Sequence, residues 1–426
     1  MISRLVSRCR PGDRESGQAS MVTVAMFMML FAAIAVSFTF VVISASRQAL
    51  NDSLQSSAKI AAESGVEDAK RLIVYCYNKR SGDSYTTPDA QQLCPKVIGK
   101  LSTDLEDTGC DEILEKMYKK GISDVEQEGS RGYRVRVGNN GGGDNENNEY
   151  YQCLKIATKT DNYQGVVNNL GKSVIVPLRV VDKYNQAAVI DRLEIEWHRN
   201  VTGNDGDNPA DMNGANGTGL PPAGTWNNSN RPAVLRVERV GVPKNNFTLD
   251  SLADDDTALT LRPSVKKNVS NYRLGDYKPQ YPFNDRDKIA PNSQYYDQHG
   301  NKIAPIVEAT CKNNNGEYAC KTIFDQESLY TDKTYYLRIN AIYRSTHFKI
   351  TAYQGKNKLY FDGVQPLVDV TGRSSDSFSR IQARLKPSFD KNADSTNWWP
   401  EYVIDTNGKV CKDIEVQYDT GEDRCK

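Results

Sequence analysis

Cysteines carry the most readable chemistry in this 426-residue chain, and they are unevenly placed. Cys9 precedes a long uncharged run, while Cys76, Cys94, Cys110, Cys153, Cys311, Cys320, Cys411 and Cys425 all follow it. A thiol can act as a nucleophile, a metal ligand or half of a disulfide, and spacing separates these roles. No CxxC occurs, and His198, His299 and His347 are the only histidines, so a zinc site of clustered Cys and His has no spacing to support it. An even set of cysteines on one side of an apolar run reads as four disulfides, which persist in oxidising compartments. In "CKNNNGEYAC", Asn-Gly turn chemistry sets Cys311 and Cys320 opposite each other across a hairpin. Cys9, in "LVSRCR", has no apolar segment before it that would mark a lipidation site, and reads as a reduced thiol.

Other candidate groups give little. Asp205, Asp207 and Asp211 in "NDGDNPADMNG" have the carboxylate density of a calcium loop, but a glycine at the sixth position and a Glu at the twelfth do not align with them. Asp254 to Asp256 in "ADDDT" read as a solvated charge cluster, because no substrate pocket is suggested nearby. Trp398 and Trp399 in "NWWPEY" have faces suited to stacking on a sugar, though aromatics buried beside a disulfide are the simpler account. Neither a phosphate-binding glycine loop nor a catalytic triad signature is found. The expectation is a chain without catalytic residues, cofactor or metal. Lysine plus arginine equals aspartate plus glutamate at 54 each, which argues against nucleic acid as a partner.

The uncharged run itself, Ser16 to Ser46, is 31 residues long. A secretory apolar core is about 7 to 15 residues, whereas about 20 residues of helix span a bilayer. Arg4, Arg8, Arg10 and Arg14 precede it against Asp13 and Glu15, so the positive-inside bias places residues 1–17 in the cytoplasm and everything after Ser46 outside. The helical pattern then continues. Leu50, Leu54, Ala58, Ala61, Gly65, Ala69, Leu72 and Cys76 follow at steps of three or four, opposite Asn51, Gln55, Lys59, Glu63, Glu67, Lys70 and Arg71. One helix over residues 18–77, with a membrane span at about 19–46, is expected. Its small residues Ala58, Ala61, Ala62 and Gly65 allow another backbone to approach closely.

These residues resemble a family. A basic leader ending in Gly17, then "QASMVTVAMFMML", then "IAAESGVEDAKRL", is similar to the amino-terminal region of PilX-like minor type IV pilins and pseudopilins, over residues 14–73. "VDVTGRSSDSFSRIQARLK" is similar to the paired strands, with a Thr-Gly-Arg turn, that finish such heads. The resemblance implies cleavage by a prepilin peptidase between Gly17 and Gln18, followed by transfer of the helix into a filament core. It also implies a stapled terminal loop, here between Cys411 and Cys425. With Cys311 paired to Cys320, three pairings remain for the other four cysteines. Such pilins carry Glu at the fifth mature position, where this chain has Val22, and no acid follows until Asp52. A subunit without that carboxylate suits a rare or terminal place, since an unpaired charge in an apolar core costs several kcal/mol.

Beyond Tyr77, a short helix is expected near Asp111 to Lys120, and alternation in "GYRVRVG", "SVIVPLRVVD" and "VIDRLEIEWHR" predicts strands. "GNNGGGDNENN" reads as a loop, and residues 200–232 read as a linker or long loop without core pattern. Strands resume in "AVLRVERVG", "ALTLRP", "IAPIVEATC", "TYYLRINAIYR", "HFKITAYQ" and "QPLVDVTG". The fold class expected is α+β: a long transmembrane, then amphipathic, helix followed by a disulfide-stabilised, mostly antiparallel β ectodomain. Residues 78–199 would form an α+β head and 233–426 a β-rich C-terminal region, with most of the β structure packed on the upper helix. The functional expectation is a non-enzymatic minor pilin subunit in the cytoplasmic membrane, then in a pilus or on the cell surface. Its partners would be the prepilin peptidase, other pilin subunits, the pilus assembly machinery, the membrane and a host or surface ligand. The alternative is a permanently anchored single-pass extracellular binding protein.

Overall fold

In the computed structural model the described residues are 16–81, 84–120, 125–129, 132–137, 149–168, 173–199, 226, 231–243, 257–264, 295–296, 302–303, 306–311, 317–329 and 333–385. The expectations for Cys9, residues 138–148, the Asp205–Asp211 loop, Asp254 to Asp256, Trp398, Trp399, Cys411 and Cys425 lie outside them.

Helix α1 (Ser16–Asn78) has 63 residues, roughly 95 Å at 1.5 Å per residue. No proline interrupts it, and alanine, leucine, methionine and straight-chain charged residues favour the helix along much of its length. Helix α2 (Pro88–Val97) begins where Thr87 Oγ1 accepts the Ala90 amide at 3.3 Å, with proline in the first turn where no donor is lost. Helix α3 (Glu112–Lys119) follows.

The strands are β1 (Arg80–Ser81), β2 (Ser84–Tyr85), β3 (Val125–Gln127), β4 (Tyr133–Arg136), β5 (Glu149–Thr160), β6 (Tyr163–Val167), β7 (Val174–Pro177), β8 (Val180–Val181), β9 (Ile190–Arg199) and β10 (Val234–Pro243). They continue as β11 (Thr257–Ser264), β12 (Tyr295–Tyr296), β13 (Lys302–Ile303), β14 (Ile306–Cys311), β15 (Tyr318–Leu329), β16 (Lys333–Ile342), β17 (Thr346–Gln354), β18 (Asn357–Lys358), β19 (Tyr360–Ser374) and β20 (Ser377–Arg384). A six-stranded sheet has the order β20-β19-β5-β4-β3, with β8 also beside β19. A ten-stranded sheet has the order β18-β17-β9-β15-β14-β11-β10-β16-β7, with β6 beside β17. Strand pairing is antiparallel apart from β11 with β14.

Each sheet has its own core. Tyr151, Leu154, Ile156, Val368 and Val370 of the smaller sheet pack with Ala69 and Ile73 of α1 and with α2 and α3. In the larger sheet Leu193, Ile195, Trp197, Leu337, Ile339, Phe348 and Ile350 form the second core. The intervening residues face away and pair in charge: Lys349 Nζ lies 2.7 Å from Glu196 Oε2, and Arg338 Nη1 lies 3.1 Å from Glu238 Oε2. This is the period-two alternation of a strand with one buried face.

Three expectations are corrected. Among the described residues, the sheet that packs on α1 is the smaller one, through β5, β19 and β20. The larger sheet buries its apolar face against itself, because one helical stripe is too narrow to cover both. Thr371, Gly372 and Arg373 lie inside β19 rather than in a turn; the chain reverses at Ser375 and Asp376, between the paired Ser374 and Ser377. Within residues 200–232, Trp226 is fully buried in the second core and its indole donates to the Pro232 carbonyl at 2.9 Å.

Candidate functional site

The two halves of α1 differ in what they meet. From Met21 to Ser53 every residue is exposed, including Val22, Phe27, Phe38 and Phe40. An 18-residue window here reaches a mean hydropathy of 2.6 with none of it buried, so this helix is long and apolar enough to cross a membrane. Its hydroxyls add little polar cost: Ser37 and Thr39 donate to the carbonyls of Ala33 and Ala35, each at 2.8 Å. Gly17 and Gln18 lie in the first turn of the same helix.

The upper half is a seat for the head. Ala58, Ala61, Ala62, Ala69, Ile73 and Cys76 have no accessible surface, and Gly65 is buried among them. Leu50 is 60% exposed and stands below the seat; Leu54 is half-buried at its lower edge. Leu72 is half-buried and Ile73 takes the core position, a drift expected of a stripe on a helix with 3.6 residues per turn.

The seat is close because both surfaces lack side chains where they meet. A methyl group added to Gly372 would overlap the Ala58 carbonyl oxygen and the Ala62 amide nitrogen and would stand 3.0 Å from Ala62 Cα. One added to Gly65 would meet Val370 Cγ1 at 2.6 Å and the Tyr151 ring at 2.9 Å. The backbone of β19 therefore lies against the backbone of α1, as a strand glycine permits. At this seam Tyr151 Oη donates to Asp68 Oδ2 at 3.0 Å.

The top of α1 is fastened twice. Cys76 is joined to Cys94 of α2, and Tyr77 Oη donates to Asp362 Oδ1 at 3.5 Å. Asp362 Oδ2 also accepts from Arg179 Nη2 at 2.9 Å, so α1, β19 and the link between β7 of the large sheet and β8 of the small sheet meet at one carboxylate. Burial, and next the charge of Asp362, push the Tyr77 hydroxyl well above its ordinary pKa, which keeps it a proton donor at neutral pH.

Cys110 is joined to Cys153, tying the start of α3 to β5. Cys311 is joined to Cys320, and the two are direct partners in the register of β14 and β15. Among the described residues no group of three or more His, Cys, Asp or Glu is placed to hold a metal ion.

Val370, Tyr151 and Ile73 complete the seat without having been singled out from sequence, and Gly372, read there as part of a turn, is its closest contact. The signal for Gly372 was present as a lone glycine within an alternating strand pattern, which marks a close backbone approach. Comparison of the chain with protein-family models, with curated proteins and with solved structures finds no match.

Proposed function

We propose that this chain is a non-enzymatic, minor pilin-like subunit of a type IV pilus or related filament. The exposed half of α1 holds it in a membrane, where a prepilin peptidase cuts after Gly17 and from which the mature helix passes into the filament core. The observation that carries the reading is the division of one unbroken helix into a bare apolar half and a half clasped by an antiparallel sheet. A soluble protein gains nothing from leaving some thirty apolar-rich helical residues in water, since exposed apolar surface costs about 25 cal/mol per Å². Bilayer and filament core both cover such a surface, and the same helix can pass from one to the other without refolding. Valine at position 22 supports a rare or terminal position, because an acidic partner for a neighbour's terminal amine is missing there. The peptidase, fellow pilins, the assembly machinery, the membrane and a cell or surface contacted by the head are the partners of this reading.

Sequencing the mature amino terminus tests it. A terminus at Gln18, and recovery of the chain at low abundance in sheared filaments, are the expected results. An intact leader on all of the protein would refute the pilin reading and favour the permanent single-pass anchor.

A further inference from the structure

We infer that residues 161–360 are an inserted folding unit, and that α1 with β3, β4, β5, β19 and β20 is by itself the assembly unit. The inference deepens the proposed function and rests on it for its assembly arm. Its basis is topological: Thr160, the last residue of β5, and Phe361, near the start of β19, are direct partners in the small sheet. The chain thus leaves and re-enters that sheet at adjoining positions, which a two-residue hairpin would also join. Between them lie β6, β7, β9 to β11 and β14 to β18, which build the larger sheet around its separate core, together with the β12–β13 pair and with β8, which returns to the edge of β19. Helix α1, by contrast, packs on β5, β19 and β20.

The crossing is stitched rather than loose. Lys358 Nζ lies 2.9 Å from Asp161 Oδ2, the Gln164 amide donates to Gln365 Oε1 at 2.9 Å, and Gln365 Nε2 returns a bond to the Gln164 carbonyl at 2.6 Å. Arg384 Nη1 donates to the Asn162 carbonyl at 2.9 Å, and Arg179 of the insert pairs with Asp362. These bonds hold the larger sheet at a set angle to the helix. The Lys358–Asp161 pair closes the two ends of the insert on each other, and the other bonds join the insert to β19 and β20. Removing the insert takes β8 from the edge of β19 and Arg179 from Asp362, but leaves the contact of Gly372 with Ala58 and Ala62 in place. Membrane insertion and filament entry then belong to the residues outside 161–360.

The test replaces residues 161–360 by Asn-Gly, with Phe361→Thr to remove an aromatic that belongs to the second core. In membranes, the shortened chain is expected to keep the Cys76–Cys94 and Cys110–Cys153 bonds, to mature at Gln18 and to enter filaments at the abundance of the full chain. Loss of the two bonds, or exclusion of the shortened chain from filaments that contain the full chain, would overturn the inference. A measurement on the full chain covers the case in which excision alone prevents folding. Leu337→Ala in the second core should lower one thermal transition by about 5–15 °C and leave amide exchange at Ala61 unchanged, with Ile156→Ala doing the reverse. A single transition moved equally by both would also overturn the inference. If even the full chain is absent from filaments, the proposed function fails, and the folding measurements still decide whether the insert is separable.

Discussion

Gly372→Ala tests the seat most directly, because it adds one methyl group at the point where strand and helix backbones touch. Gly372 does not adopt the left-handed conformation that alanine resists, so the substitution carries no backbone strain and acts through contact alone. The atoms in its way are the Ala58 carbonyl oxygen and the amide nitrogen and Cα of Ala62, none of which can rotate aside. Either β19 lifts from the helix or α1 bends. Overpacking of this kind costs about 1–3 kcal/mol, and an obstruction made of backbone belongs at the upper end. About 3 kcal/mol corresponds to roughly 6–12 °C in Tm for a unit of the size of the head.

Gly65→Ala supplies the contrast on the other side of the seam. Its new methyl would meet Val370 Cγ1 at 2.6 Å and the Tyr151 ring at 2.9 Å, side-chain atoms of two fully buried residues that must move for it to fit. Helix propensity meanwhile improves by about 0.8–1.0 kcal/mol when glycine becomes alanine. Set against an overpacking cost of about 1–3 kcal/mol, this leaves a net cost of about 0–2 kcal/mol, below that of Gly372→Ala. Gly355→Ala, with φ of 58° and open space around it, isolates conformational strain at about 1 kcal/mol. Thermal unfolding of the full chain in detergent, followed by circular dichroism, should rank Gly372→Ala well below the other two. Equal stability of Gly372→Ala and the parent protein, or a greater loss in Gly65→Ala, would refute the claim that backbone-to-backbone contact defines the seat.

Three further outcomes are expected. Removing the Cys76–Cys94 bond as a Ser pair should cost about 3 kcal/mol for its sequence separation of 18, and removing Cys110–Cys153 about 4 kcal/mol for 43; denaturant titration of oxidised proteins measures both. At Asp161, burial would raise the carboxyl pKa, but the hydrogen bond and charge of Lys358, then Arg384 and Ser102, outweigh it and hold the group below the usual carboxylate range. That stabilisation is full above the unfolded value of about 3.9 and fades as pH falls through the lower native value, so the stability gap to Asp161→Asn should close in acid; a gap constant from pH 7 to pH 3 would contradict it. Replacing Gly17 by a large residue should leave a longer, membrane-bound precursor on immunoblots, and normal maturation would remove the cleavage site from consideration.

Local pattern made α1 legible almost to its ends, because its apolar run and later stripe are both properties of neighbours along the chain. The strands β4, β9 and β16 were equally open, since each alternates between more and less buried positions along most of its length. Strand β5 escaped notice for the opposite reason. Tyr150 and Tyr151 are consecutive and both buried, one beneath Arg134 with its guanidinium carbon 3.9 Å from the ring centre and one against α1, so period two is erased. Helix α2 was missed because Pro95 lies inside it and the sequence offers barely three turns.

What no local pattern contains is which strand returns to which. Strand β5 finds β19 across some two hundred intervening residues, and only the match of buried faces, Tyr151 opposite Gly372 and Ile156 opposite Val368, records the pairing. The same pairing explains why Gly372 is glycine: Tyr151 fills one side of the groove in the small sheet, and the bare position opposite it is where α1 comes to rest. A glycine that resembled a turn signal is thus a contact between residues 58–62 and 372. Its meaning lies in that distance along the chain: one bare strand position decides where β19 can rest on α1 and which half of the helix stays exposed.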